Sequence, residues 1–238
     1  MATAFRVPRH VGGRIYPRRM KRLLLILTAA LLAGCASPAP PPTLVALISH
    51  SAPADDVAAM HFCGGTLVAP DLVATAAHCL ADRTPASIDA IVGADNLCRT
   101  APIGGTRIAV ASVEYSDAAL DVALLRLASP STVTPAPIAA STTDLVAWGW
   151  GTASPGGVAP CSARPVALSV VADCADVPSD DYLCALPSGA VNTCTGDSGG
   201  PVYSDGALVA IVSSGLGCGP GDPGFYGRAS LLEAAIDR

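Results

Sequence analysis

Cys194-Thr195-Gly196-Asp197-Ser198-Gly199-Gly200-Pro201 sets Ser198 in a run built for backbone contortion. Glycine at 196, 199 and 200 lets the main chain take dihedrals that a Cβ forbids and lets it approach a substrate closely. A turn of that kind can aim two backbone N–H groups at a developing oxyanion. Alone, the run also fits a Gly-rich turn between strands with Ser198 merely solvated. Its company argues otherwise. Ala76-Ala77-His78-Cys79 lies upstream, and Leu120-Asp121-Val122-Ala123-Leu124-Leu125 lies between the two. The order His, Asp, Ser is that of one of the known catalytic-triad arrangements.

With these stretches in view, the chain resembles the chymotrypsin-like (trypsin-type) serine protease family. Phe62-Cys63-Gly64-Gly65-Thr66-Leu67, Thr75-Ala76-Ala77-His78-Cys79, Asp121-Val122-Ala123-Leu124-Leu125, Gly149-Trp150-Gly151 and Gly196-Asp197-Ser198-Gly199-Gly200-Pro201 carry the likeness. It runs from about Thr43 to the C-terminus. The implied architecture is all-β: two six-stranded antiparallel β-barrels with the active site between them and a short C-terminal helix. The implied domain spans residues 43–238, with an N-terminal barrel over about 43–130 and a C-terminal barrel over about 131–238. Three disulfides come with the resemblance: Cys63 with Cys79, Cys174 with Cys184, and Cys194 with Cys218. Cys98 and Cys161 are left over and pair by elimination only.

The pattern along the chain agrees with an all-β fold. Short apolar runs recur at 43–49, 63–68, 72–75, 90–92, 106–113, 122–127, 145–148, 165–171, 182–186, 201–203 and 208–213, separated by turn residues. Many short strands without a long helical pattern argue for barrels or sandwiches. Leu231 to Ile236 is the one expected helix, and no internal repeat is visible.

The first 42 residues read differently from the rest. Residues 1–34 form an N-terminal extension and signal: Met20-Lys21-Arg22 is a basic start, Leu23 to Leu32 is apolar, and Leu32-Ala33-Gly34-Cys35 resembles the bacterial lipobox. That implies cleavage before Cys35 and lipid on its sulfur, with residues 35–42 as a Pro-rich tether. An ordinary secretory signal that leaves Cys35 a spare thiol is the alternative. Nine cysteines minus one lipidated residue leaves an even number, as suits an exported chain in which disulfides persist. Met20 is a candidate start. All 19 acidic residues but only seven of the 14 basic ones follow position 34, so residues 35–238 carry a net charge of −12. That excess argues against nucleic acid and against electrostatic docking on anionic lipid. The expected protein is a monomer anchored by lipid on the cell envelope, acting on protein or peptide substrates.

The residue types permit a defined chemistry. A serine hydroxyl needs a base to take its proton as it attacks a carbonyl, which assigns His78. The imidazolium then needs an anion to orient and stabilise it, which assigns Asp121. By family resemblance Ser213 hydrogen-bonds that aspartate, and the N–H groups of Gly196 and Ser198 form the oxyanion hole. The resemblance also puts Asn192 at the base of the S1 pocket, with Gly215 and Gly224 on its walls. Asn192 is neutral, so a bulky neutral or polar P1 residue is expected rather than Arg or Lys. No cofactor is expected. A metal reading of Cys63, His78 and Cys79 is disfavoured by export.

One family feature is missing. Members are activated when a freed Ile or Val amine folds inward onto the aspartate before the nucleophile, which here is Asp197. No Ile-Val-Gly-Gly follows the lipobox. Two expectations remain open: an internal donor pairs with Asp197, or His61 holds Asp197 in a latent arrangement. A non-proteolytic binding protein that keeps the fold, and acyl transfer to a small ester, stand as alternative readings.

Overall fold

The computed structural model describes residues 38–53, 57–99, 104–172, 174 and 181–237. Leu44–Ser49 (β1) opens the first barrel and is buried on both faces along almost its whole length. That is why it reads as a continuous apolar run instead of an alternating one. It pairs on one side with His61–Ala69 (β2) and on the other with Ile88–Val92 (β4). Leu72–Thr75 (β3), Thr106–Asp117 (β5) and Val122–Leu127 (β6) complete a closed ring in the order β1-β2-β3-β6-β5-β4.

The second barrel repeats that connectivity. Leu145–Gly149 (β7), Arg164–Val170 (β8), Tyr182–Pro187 (β9), Pro201–Ser204 (β10), Ala207–Gly215 (β11) and Gly224–Arg228 (β12) close in the order β7-β8-β9-β12-β11-β10. Closure leaves no exposed edge in either sheet. At the C-terminus a 3₁₀ turn over Ala229–Leu232 leads into a short α-helix, α1 (Glu233–Ile236).

Two strands depart from expectation. β12 went unread because Gly224 and Gly227 flank only Phe225 and Tyr226, too short an apolar run to register. Partners on both sides, β9 and β11, make it a strand. β5 runs on to Asp117 beyond its apolar portion, because Tyr115, Ser116 and Asp117 stay in register with Leu124, Ala123 and Val122 of β6.

The barrels meet at close backbone contacts that position the site. The N–H of Gly64 in β2 donates to the carbonyl of Ser198 at 2.7 Å. A Cβ on Gly64 would lie 2.7 Å from Gly200 Cα, so only glycine admits this approach. The hydroxyl of Tyr203 in β10 also reaches across, to Thr43 Oγ1 at 2.7 Å and Thr66 Oγ1 at 3.3 Å. Burial drives the Tyr203 hydroxyl up to about 12, so it stays protonated.

Candidate active site

His78 sits on a 3₁₀ turn, Ala77–Leu80, that begins where β3 ends. The Cys63–Cys79 disulfide ties this turn back to β2. Closing a loop of that size contributes about 3 kcal/mol in the chain-entropy description. Asp121 stands at the start of β6 with φ of 50°, a left-handed conformation that aspartate tolerates better than most residues. Its carboxylate is saturated from three directions. Oδ1 accepts the backbone N–H of His78 at 2.8 Å, while Oδ2 accepts His78 Nδ1–H at 2.8 Å and the Ser213 hydroxyl at 2.5 Å.

These bonds set the protonation pattern. Burial pulls the Asp121 carboxyl upward, but the bonds from His78 and Ser213 outweigh it and hold the group below its ordinary value. The bond to Asp121 raises His78 above the usual imidazole value, against the opposing effect of its own burial. An ionised Asp121 only accepts, so Nδ1 of neutral His78 carries the proton and Nε2 keeps a lone pair.

Ser198 is half-buried on a turn that the glycines make possible. Gly196 and Gly199 have φ of 98° and 74°, where a side chain would be strained. Asp197 N–H donates to Cys194 O and Gly200 N–H to Asp197 O, both at 2.9 Å, and Gly199 N–H reaches Val212 O at 2.8 Å. Among the described residues the N–H groups of Gly196 and Ser198 donate to nothing, which leaves both for a ligand. Ser198, Gly196 and His78 line one cleft of about 540 Å³. Ser198 Oγ makes no hydrogen bond among the described residues, and Nε2 of His78 lies 3.9 Å from Cys79 Sγ. No hydrogen bond joins Ser198 Oγ to His78 Nε2 among the described residues, and such bonds are often long or absent in unliganded sites.

Asp197 is 2% exposed and is held by internal donors. Gly151 N–H reaches Oδ1 at 2.7 Å, Cys194 N–H reaches Oδ2 at 2.9 Å, and Arg164 Nη2 reaches Oδ2 at 3.3 Å. Burial pushes this carboxyl up, opposed by the Cys194 N–H, the Arg164 charge and the Gly151 N–H. The expectation that His61 clamps Asp197 is corrected here. The His61 ring packs edge-on against Trp150 with centroids 5.4 Å apart, and its Nε2 is buried without a partner. Burial lowers His61 to about 4, so it is neutral and has no charge to offer. Arg164 went unnoticed in the sequence. Its one signal was a lone cation ahead of the apolar run 165–171.

Beside Ser198 lies a pocket of about 240 Å³, walled by Gly215, Gly217, Thr193 and the Cys194–Cys218 disulfide. Of the residues expected around an S1 pocket, Gly215 lines this one, whereas Asn192 and Gly224 do not. Asn192 is 1% exposed, and its amide is consumed internally. Nδ2 donates to Asp222 O at 2.8 Å and Gly219 O at 3.1 Å, and Oδ1 accepts Thr193 N–H at 2.8 Å. A Cβ on Gly224 would sit 2.5 Å from the Tyr226 hydroxyl, so the close packing there favours glycine. Gly217, missed in the sequence, takes that wall.

The structure joins Cys98 to Cys161 and Cys174 to Cys184, besides the two disulfides already described. Cys63 and Cys79 spend their sulfurs on each other, so their grouping with His78 supplies no thiolates for a metal. Cys35 and the signal stretch lie outside the described residues, and no described helix is long and apolar enough to cross a membrane.

Comparison with known proteins adds to the geometry. The family profile described as Trypsin matches residues 36–236. A protein named Trypsin from Saccharopolyspora erythraea is 37% identical over 190 residues, covering 70% of this chain and 82% of that protein. The vitellin-degrading protease of Bombyx mori is 33% identical over 199 residues, covering 74% and 75%. Among solved structures, the Vibrio cholerae VesB protease superposes with a TM-score of 0.64 at 26% identity, covering 82% of this chain and 63% of that one. Human heparin binding protein superposes with a TM-score of 0.69, covering 85% and 92%; at 24% identity it speaks to the fold alone.

Proposed function

The chain belongs to the trypsin family of serine proteases, and from that premise we propose that it is an exported endopeptidase with Ser198 as nucleophile, His78 as general base and Asp121 as its orienting anion. One observation carries the reading. A saturated Asp121 fixes His78 with Nδ1 protonated, in a cleft that also contains Ser198 and two unengaged amides. As Ser198 Oγ attacks the scissile carbonyl carbon, His78 Nε2 takes the hydroxyl proton, and the Gly196 and Ser198 N–H groups receive the oxyanion. The C–N bond then breaks as Nε2–H protonates the leaving amine. Water, deprotonated by the same nitrogen, hydrolyses the ester and returns Ser198.

Specificity follows from the neutral pocket. Thr193 and Gly217 offer no charge to P1, and Asn192 has no free polar atom to turn toward it. The adjacent Asp222 carboxylate accepts Gly219 N–H at 2.8 Å and does not line the pocket. A neutral P1 residue is preferred on this reading, and a peptide library cleaved mainly after Arg or Lys would overturn it. Lipid anchoring through Cys35 belongs to the same proposal, and loss of fatty-acid labelling in Cys35→Ala tests it.

The deciding experiment is active-site labelling with a fluorophosphonate. The chain should label, and Ser198→Ala and His78→Ala should cut both labelling and peptide hydrolysis by about 10⁴-fold or more. Labelling that persists in both variants rejects the assignment. The binding-protein alternative rested on the missing activation terminus, and the partners of Asp197 weaken that ground.

A further inference from the structure

Arg164 begins β8, and its side chain is only 19% exposed. Nε donates to Gly151 O at 3.1 Å, and Nη2 is shared among Thr152 O at 2.7 Å, Asn192 O at 3.2 Å and Asp197 Oδ2 at 3.3 Å. One side chain therefore ties together the 151–152 segment, the segment leading to the nucleophile and the buried carboxylate beside that nucleophile. The slot around the carboxylate is shaped for it, since a Cβ on Gly149 or on Gly151 would fall 2.3 Å from Asp197 carboxylate atoms. Thr152 N–H adds a bond to Thr195 O at 2.9 Å, next to Gly196.

Resting on the reading of Ser198 as nucleophile, we propose that Arg164 is a positioning residue: its fixed charge holds Asp197 inward and so keeps the Gly196 and Ser198 amides aimed at an oxyanion, without any freed N-terminal amine. Asp197 lies between the two hole-forming residues in the chain, so the carboxylate cannot swing out without turning both amides. A buried carboxylate stripped of its cation has two exits, taking up a proton or leaving the interior, and each loosens that turn.

The geometry also predicts how far the position tolerates change. Nη1 of Arg164 is buried without a partner, so a single nitrogen makes the contacts to Asp197, Thr152 and Asn192. A lysine ammonium, with three donors on one nitrogen, can copy that arrangement imperfectly from a slightly shorter stem. Methionine matches the stem and supplies no charge.

The test uses the full, disulfide-bonded chain with Arg164→Met and Arg164→Lys, each checked by thermal melting. Fluorophosphonate labelling and kcat on a peptide substrate should fall by about 10²- to 10³-fold in Arg164→Met, the cost of losing one hole donor. Arg164→Lys should recover to within about tenfold of the parent. A pH series separates this role from a merely structural one. Around Arg164 and Asp197, burial puts Tyr226 at about 12 and His61 at about 4, both outside the window from pH 8 to pH 10.5, and Tyr182 near Asp121 is raised above its ordinary value in parent and variant alike. The parent should hold its rate across that window because a guanidinium does not titrate there, whereas Arg164→Lys should lose rate as its ammonium deprotonates near pH ~10. If the parent labels and Arg164→Met labels equally fast, the positioning role is overturned while the protease assignment stands. Labelling that appears only after cleavage upstream of β1 also overturns it, by showing that an amine is needed. A parent that never labels sinks the nucleophile assignment first, and this inference with it.

Discussion

Among the described residues a buried carboxylate faces an arginine in each barrel, Asp89 with Arg107 and Asp197 with Arg164, and the two pairs differ in what stands next to them. In the first barrel Asp89, on β4, is 3% exposed and accepts Arg107 Nε–H at 2.6 Å, with His50 Nδ1 at 2.8 Å on its other oxygen. Arg107 also donates to Ala52 O at 2.9 Å and His50 O at 2.8 Å, clipping the loop after β1 to the barrel. In the second barrel Arg164 clips the loop after β7 in the same manner, through Gly151 and Thr152. The chain neighbours of Asp89 are Ile88 and Ala90, locked in a strand ladder, whereas those of Asp197 are Gly196 and Ser198, whose amides are free. The same ion pair can thus serve stability in one place and chemistry in the other. Adjacency decides which.

The contrast is sharpest at a third buried carboxylate, Asp121, whose partner is an imidazole. Asp121→Asn should lower kcat by about 10⁴-fold, because an amide no longer selects the Nδ1–H tautomer. The pH profile gives a second readout. The base must be neutral, and Asp121 raises the His78 value, so the acid limb of kcat/KM should have its midpoint above the ordinary imidazole value of ~6.5. In Asp121→Asn that midpoint should move down, and an unmoved limb would deny the coupling.

Next in size is Asp197→Ala, which should cost about 10²- to 10³-fold in kcat, as if a hole donor were lost. Asp89→Ala should leave kcat/KM within about twofold. Equal losses in the two variants would break the comparison. Arg107→Met is expected to act on stability alone, by about 3 kcal/mol, the low end for an orphaned buried charge, since the Arg107 side chain is 29% exposed. A calorimetric Tm lower by roughly 6–12 °C with unchanged turnover would agree. The smallest effect belongs to His61→Ala, which should leave hydrolysis within about twofold. A marked rise would restore the latency reading that the neutral, Trp150-packed ring argues against.

Much of this molecule was readable as text because its signals are local. Strands such as Val122–Leu127 and Leu145–Gly149 announce themselves by apolar runs between turn residues, and the glycines at 196 and 199 mark a turn that needs positive φ. Strand β12 was not readable, because two aromatic residues between glycines make a strand only when β9 and β11 supply partners. The pocket walls were less legible, since Asn192 donates to the Gly219 and Asp222 carbonyls and Gly224 packs close to the Tyr226 hydroxyl.

What the letters determined unaided was the all-β class and the order of His78, Asp121 and Ser198; that Asp197 needs a partner came from the family resemblance and from its burial in the structure. What only folding decided was who that partner is and that the two barrels share one connectivity. The reason is physical. Propensity, turn chemistry and motif spacing act over a few residues, whereas a buried charge is matched by whichever cation the closed sheet brings within reach. Arg164 and Asp197 are 33 residues apart, and no pattern in the chain joins them until β7 and β8 pair.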